Sequence, residues 1–169
     1  MEARVIDNPR SGERIVIRQS AADTAGELLA FDLFLRPGGH VPARHVHPRQ
    51  EERFTVVKGD VRFRVGKRTI VARAGDSLHV PRGTPHWFGN TGPTEAEIHV
   101  EVRPALRMQE LFETSVQRSN AGGPWWSRLV ALALILFDFR HEVGVPNVPA
   151  FLVALALSPL AWLRIRLAK

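Results

Sequence analysis

The sequence predicts a mainly β fold, an antiparallel barrel of short strands, followed by an apolar helical extension. Three observations carry this reading. Between residues 15 and 103 the apolar runs are short and evenly punctuated by glycine and proline, which is the pattern of successive strands and turns. Val61, Phe63 and Val65 alternate with Arg62 and Arg64, the period of two expected of a strand with one buried and one wet face. Counting Ala, Val, Ile, Leu, Met, Phe, Trp and Cys gives 45 of residues 1–124 but 30 of the 45 residues in 125–169, so the two parts face different surroundings.

The elements follow in order. After a polar stretch at 7–13, residues 15–18 and 28–35 are rich in β-branched and aromatic side chains and read as the first two strands, ending at Pro37-Gly38-Gly39. FTVV then closes at Lys58-Gly59, VRFRV at Gly66-Lys67, TIVARA at Gly75-Asp76, LHV at Pro81-Arg82-Gly83 and WF at Gly89-Asn90. A last strand covers 95–102. Pro104 opens a segment in which Leu106, Glu110, Leu111, Phe112 and Val116 fit a helix over 104–118. Asn120-Ala121-Gly122-Gly123-Pro124 is a breaker cluster, so a hinge is placed at 119–124. The expected organisation is one domain at 1–118, with its barrel at 15–103, then the hinge, then an extension at 125–169. Residues 125–139 and 145–169 read as a helical hairpin about the charged turn Arg140-His141-Glu142.

At 169 residues the chain has room for one core and an appendage. The absence of cysteine excludes disulfides, thiolate metal sites and cysteine nucleophiles. Eighteen basic against fifteen acidic residues in 1–124, and five against two in 125–169, share the net charge of +6 equally between the parts. Arg62, Arg64, Arg68 and Arg73 are interspersed singly, as on a solvated face, and no nucleic-acid partner is expected. The first residues hold no apolar run, so the expected compartment is the cytoplasm.

Residues 129–137 are apolar on every side of a helix and need cover from protein or lipid. Fifteen helical residues rise only about 22 Å, short of a hydrocarbon core of roughly 30 Å. Trp125, Trp126 and Trp162, with Arg128, Arg164, Arg166 and Lys169, nevertheless occupy places suited to interfacial anchors. Two readings stay open: association of 125–169 with a membrane, or packing of the hairpin on the barrel or on a second subunit of a homodimer.

The chemistry concentrates in two stretches. In GHVPARHVHPRQEERFTVVKG, His45 and His47 lie two apart, so on a strand both imidazoles project from one face. Glu52 shares its face with Phe54 and Val56, whereas Glu51 shares with Arg53 and Thr55, so Glu52 points inward. GDSLHVPRGTPHWFGN supplies His86 just after a Pro-Arg-Gly turn. Three imidazoles and one carboxylate suit a divalent first-row ion, Fe, Mn, Ni or Zn, and leave a coordination position open. Phe54 and Phe88, two residues beyond Glu52 and His86, fall on the inner face, where they either shape a pocket for a small ligand or fill the barrel. His40 and His79 read as surface histidines, and His99 as part of a wet strand face.

Gly39-x5-His45-x-His47-x4-Glu52-x6-Gly59 and Gly75-x5-Pro81-x-Gly83-x2-His86-x3-Asn90, fifteen residues apart, resemble the two conserved motifs of the cupin superfamily. The flanking DNPRSGERIVIRQS and EVRPALRMQELFET are similar to single-domain bacterial cupins, so the resemblance covers residues 5–118. It implies a double-stranded β-helix, or jelly roll, with His45, His47, Glu52 and His86 as metal ligands and a tendency to dimerise. It also implies a small-molecule metalloenzyme, an oxidoreductase of dioxygenase type acting on an enol or hydroxy-keto substrate, with Glu52 as the proton acceptor since the chain has no tyrosine or cysteine. Metal-dependent isomerisation or decarboxylation uses the same ligands, and a non-catalytic small-ligand sensor is the alternative of another class.

Overall fold

The computed structural model describes residues 4–148 apart from 42, 121 and 123, together with 152 and 155. Nine strands are present: β1 (Val5–Asn8), β2 (Glu13–Gln19), β3 (Leu29–Leu35), β4 (Glu51–Lys58), β5 (Asp60–Val65), β6 (Arg68–Arg73), β7 (Ser77–Val80), β8 (His86–Asn90) and β9 (Ala96–Arg103). Among the described residues the helices α1 (Met108–Asn120) and α2 (Trp125–Asp138) follow.

The strands form two antiparallel sheets, one in the order β1-β2-β3-β9-β4-β7 and one in the order β6-β5-β8. Alternation decides which side chains go inward. On β9, Ala96, Ile98, Val100 and Val102 are buried while Glu97, His99 and Glu101 are only partly covered. On β5, Val61 and Phe63 are buried between exposed Arg62 and Arg64. The inner faces meet at Phe54 from the larger sheet and Phe63 and Phe88 from the smaller, with ring centroids 5.1–5.5 Å apart. Such contacts give an antiparallel two-sheet barrel its core. The fold is the antiparallel β barrel that the strand pattern predicts and the jelly roll that the resemblance implies, with helices at its C-terminal side.

Each stretch read as a strand in 53–102 is one. The edge strand β1, for which no strand was read, overlaps the start of the polar stretch at 7–13 and pairs with β2 in the register Val5↔Val16 to Asn8↔Glu13. Only Ile6 of its four residues is buried, too little to show as a pattern. The turn from β4 to β5 is held by Gly59, whose φ of +84 suits glycine and where a Cβ would come within 3.0 Å of Ala96. The β9–α1 junction is clamped by the buried Gln50, whose amide donates to the carbonyls of Pro104 and Ala105 at 2.9 and 3.0 Å. Phe112 of α1 meets Phe31 edge to face at 5.2 Å, seating that helix on the larger sheet.

The second helix of the proposed hairpin, with Trp162, Arg164, Arg166 and Lys169, falls almost wholly outside the described residues, as do two residues of the hinge. Among the described residues no helix is long and apolar enough to cross a membrane.

Candidate metal centre

His45 and His86 are placed by the backbone. They face each other in an antiparallel bridge, His45 N–H donating to His86 O at 3.0 Å and His86 N–H to His45 O at 2.9 Å. His47 lies two residues on, its carbonyl accepting from Gly83 N–H at 2.8 Å, which ties the Pro81-Arg82-Gly83 turn to the ligand segment. Glu52 enters from β4, opposite Val80, on the inward face that also carries Phe54 and Val56. His86 begins β8, and its face continues through Phe88 and Asn90, all buried.

The four side chains converge. Their nearest ligand atoms all lie within 4.8 Å of one another. Glu52 Oε2 is 2.8 Å from His86 Nε2 and 3.4 Å from His47 Nε2. The three rings crowd together with centroids 4.4–5.3 Å apart.

Each ring is also held from behind. Nδ1 of His45 faces Ala43 O at 2.9 Å, Nδ1 of His86 faces Thr84 O at 3.0 Å, and Nδ1 of His47 faces Glu142 O. A carbonyl only accepts, so each Nδ1 carries a proton and Nε2 is the atom each ring offers to the cluster. Nε2 of His47, Nε2 of His86 and Oε2 of Glu52 are buried acceptors without a satisfying donor. Lone pairs directed at one another in a dry site require a cation between them. That donor set fits a divalent ion bound by nitrogen and oxygen.

The electrostatics describe the same competition in protons. Burial, then the neighbouring His47 and His86, push His45 down to about 3. Burial likewise lowers His47. For Glu52, burial opposes the charge, but His47 and the hydrogen bond with His86 prevail and take it down to about 2. His86 is raised because its contact with Glu52 outweighs burial. In the metal-free protein the His86–Glu52 pair therefore holds a proton where a metal would sit.

Phe54 and Phe88 lie beside the site, packed against each other and Phe63, with Phe54 at 6.3 Å from the His86 ring. His40 is exposed, its Nδ1 at 2.9 Å from Val41 O. His79 is exposed on the outer face, 3.4 Å from Glu51. His99 meets Asp32 at 2.8 Å across the β3–β9 pair. Partial burial opposes the Asp32 charge, but His99 and Arg18 hold the carboxyl below its usual range. Neither His40, His79 nor His99 joins the cluster. Glu142 does, through its carbonyl, and the sequence reading had it only as part of a charged turn. No side-chain signal could have found it, since the contact is made by a backbone carbonyl.

Residues 32–102 match the family description of the cupin domain. Oxalate oxidase 2 of Hordeum vulgare is 39% identical over 72 residues, covering 38% of this chain and 32% of that one. Protein SchB of Streptomyces halstedii is 27% identical over 90 residues, covering 53% of this chain and 64% of that one. The chain thus spans about a third of the length of the cereal oxalate oxidases it matches. Among solved structures, an RmlC-like cupin from Shewanella frigidimarina superposes with a TM-score of 0.53 at 23% identity, over 64% of this chain and 89% of that one. KdgF from a Halomonas species superposes with a TM-score of 0.52 at 17% identity, over 62% and 86%.

Proposed function

The chain carries a cupin domain, and from that premise we propose that it is a small-molecule metalloenzyme of oxidoreductase type, dioxygenase-like, acting on a compact substrate that offers two oxygens to one metal ion. The observation that carries this is the back-to-front arrangement of the site. Carbonyls fix three imidazoles from behind, so that three nitrogen lone pairs and one carboxylate meet at one dry point. His45, His47, Glu52 and His86 would hold the ion, which would polarise a bound enol, hydroxy-keto or carboxylate oxygen as a Lewis acid.

The protein's own groups have separable tasks. The backbone bridge between His45 and His86 keeps the two segments in register, so that the ligand atoms hold their spacing without side-chain adjustment. Phe54, Phe63 and Phe88 pack together beside the site and would exclude water from that side. Glu52 is the base in this reading: its Oε2, 2.8 Å from His86 Nε2, would accept the proton of a substrate hydroxyl. The cereal relatives named oxalate oxidases support a two-oxygen substrate.

The test begins with protein purified without a metal-affinity tag, analysed for its metal, then loaded with Mn(II), Fe(II) or Ni(II) and given oxalate and a set of small hydroxy-ketones. Oxygen consumption that disappears in a His45→Ala/His47→Ala variant is the expected result. Carbon dioxide release without oxygen consumption would replace the oxidase reading with a decarboxylase. The packing of the three phenylalanines favours a second reading, a metal-binding module that turns nothing over. Stoichiometric metal with no turnover of any of these compounds would establish it, and less than about a tenth of an equivalent of metal would sink both readings.

A further inference from the structure

The three histidines differ in where their support comes from. His45 and His86 take theirs from Ala43 and Thr84, each two residues earlier in the same segment. The carbonyl behind His47 belongs to Glu142, 95 positions later and outside the stretch that matches the cupin domain. We infer that the turn following α2, residues 139–144, is a working part of the metal centre: it positions His47 and thereby makes metal affinity depend on the C-terminal extension. This rests on the reading of His45, His47, Glu52 and His86 as a metal site.

The turn is built to hold that carbonyl. Phe139 is buried in the core, with the Arg107 guanidinium over its ring at 4.7 Å. Glu142 and Val143 donate backbone N–H groups to Phe139 O at 3.0 and 2.8 Å, which curls the chain back toward the barrel. The Glu142 side chain is itself buried, and its Oε1 accepts from Arg107 N–H at 3.3 Å, linking the turn to the start of α1. Gly144 and Val46 then exchange two backbone hydrogen bonds, at 3.1 and 2.9 Å, directly beside His47. A Cβ on Gly144 would stand 3.3 Å from Val46 Cγ2, so the strands approach closely because that residue is glycine. The site is thus framed on one side by a segment whose other end is α2.

Outer partners of metal-bound histidines are commonly worth about 10- to 100-fold in affinity. The experiment uses the full chain, metal-free, with 15N-labelled histidine. Long-range 1H–15N spectra report which ring nitrogen carries the proton, and competition with a chromophoric chelator measures zinc affinity. In the wild type all three rings should be protonated at Nδ1. Phe139→Ala and Glu142→Ala should leave His45 and His86 in that form, shift His47 toward a mixture, and weaken zinc binding by about tenfold or more. Glu142→Gln, which keeps the oxygen that accepts from Arg107, should restore both. Should Phe139→Ala unfold the barrel, the Glu142 pair decides. If His47 keeps its tautomer and zinc affinity is unchanged in every folded variant, the inference is overturned. A wild type that binds no zinc while His47 responds as described would instead remove the metal reading and leave the positioning of His47 standing.

Discussion

The barrel and α2 handle apolar side chains in opposite ways. Phe54, Phe63, Leu35 and Val61 sit in the barrel at 1% exposure or less, whereas α2, richer in apolar residues, buries none of its own and leaves Trp125 at 74% and Leu132 at 54%. Composition therefore does not set burial here; position between layers does. The strands have a facing sheet to receive their inner side chains, while among the described residues α2 touches α1 along one side and is followed by the buried Phe139.

That contrast can be broken most directly in the core. Phe63→Ala should destabilise by about 3–5 kcal/mol, because the vacated ring leaves a cavity against Phe54 and Phe88. Urea denaturation measures it, and a loss under 1 kcal/mol would mean that the ring contacts do not hold the sheets together. Asn90→Ala comes next, at roughly 1–3 kcal/mol. Its amide donates to the carbonyls of Leu35, Arg36 and Thr94, and its Oδ1 accepts from Gly92 N–H, so the change strips several buried backbone groups at once.

Acidification separates the regions by another route, since the shifted histidines and Glu52 lie in the barrel. His45 and His47 are depressed from the ordinary 6.5, so the unfolded chain takes up protons first, and their contribution, full above 6.5, is lost as pH falls, for His45 toward about 3. Glu52, depressed from 4.5 to about 2, acts in the same direction over that lower window. His86, raised, acts oppositely: its contribution is present below 6.5 and lost as pH rises through its folded value. Two histidines outweigh one, so the metal-free protein should have a lower urea midpoint at pH 5 than at pH 8, with a steeper fall once zinc is bound and protons compete for its ligands. A flat profile would show that the rings are not enclosed as described. The smallest effect belongs to Leu132→Ala on the open face of α2, within about 0.5 kcal/mol. A cost above about 2 kcal/mol would mean that something covers that face in solution, and the comparison would then need redrawing.

Much of the barrel was legible because its signals are local. Glu52 rather than Glu51 follows from the residues two positions away, and the turn glycines and prolines mark where strands stop. The convergence of His45, His47 and His86 was readable because paired motifs constrain it. β1 was not, since a four-residue edge strand with one buried side chain leaves no periodic trace. Glu142 was invisible for a different reason. It acts through a carbonyl, which every residue possesses, so no choice of side chain advertises the role.

The link between His47 and Glu142 also sets an order of events during synthesis. The last strand ends at Arg103, so all nine strands can leave the ribosome and pair while residues 139–144 are still inside it. The barrel can close early; His47 is held only when a loop of 95 positions shuts behind it. Until then the nascent chain carries two restrained imidazoles and one free one, and the four-residue cluster is completed only after the barrel.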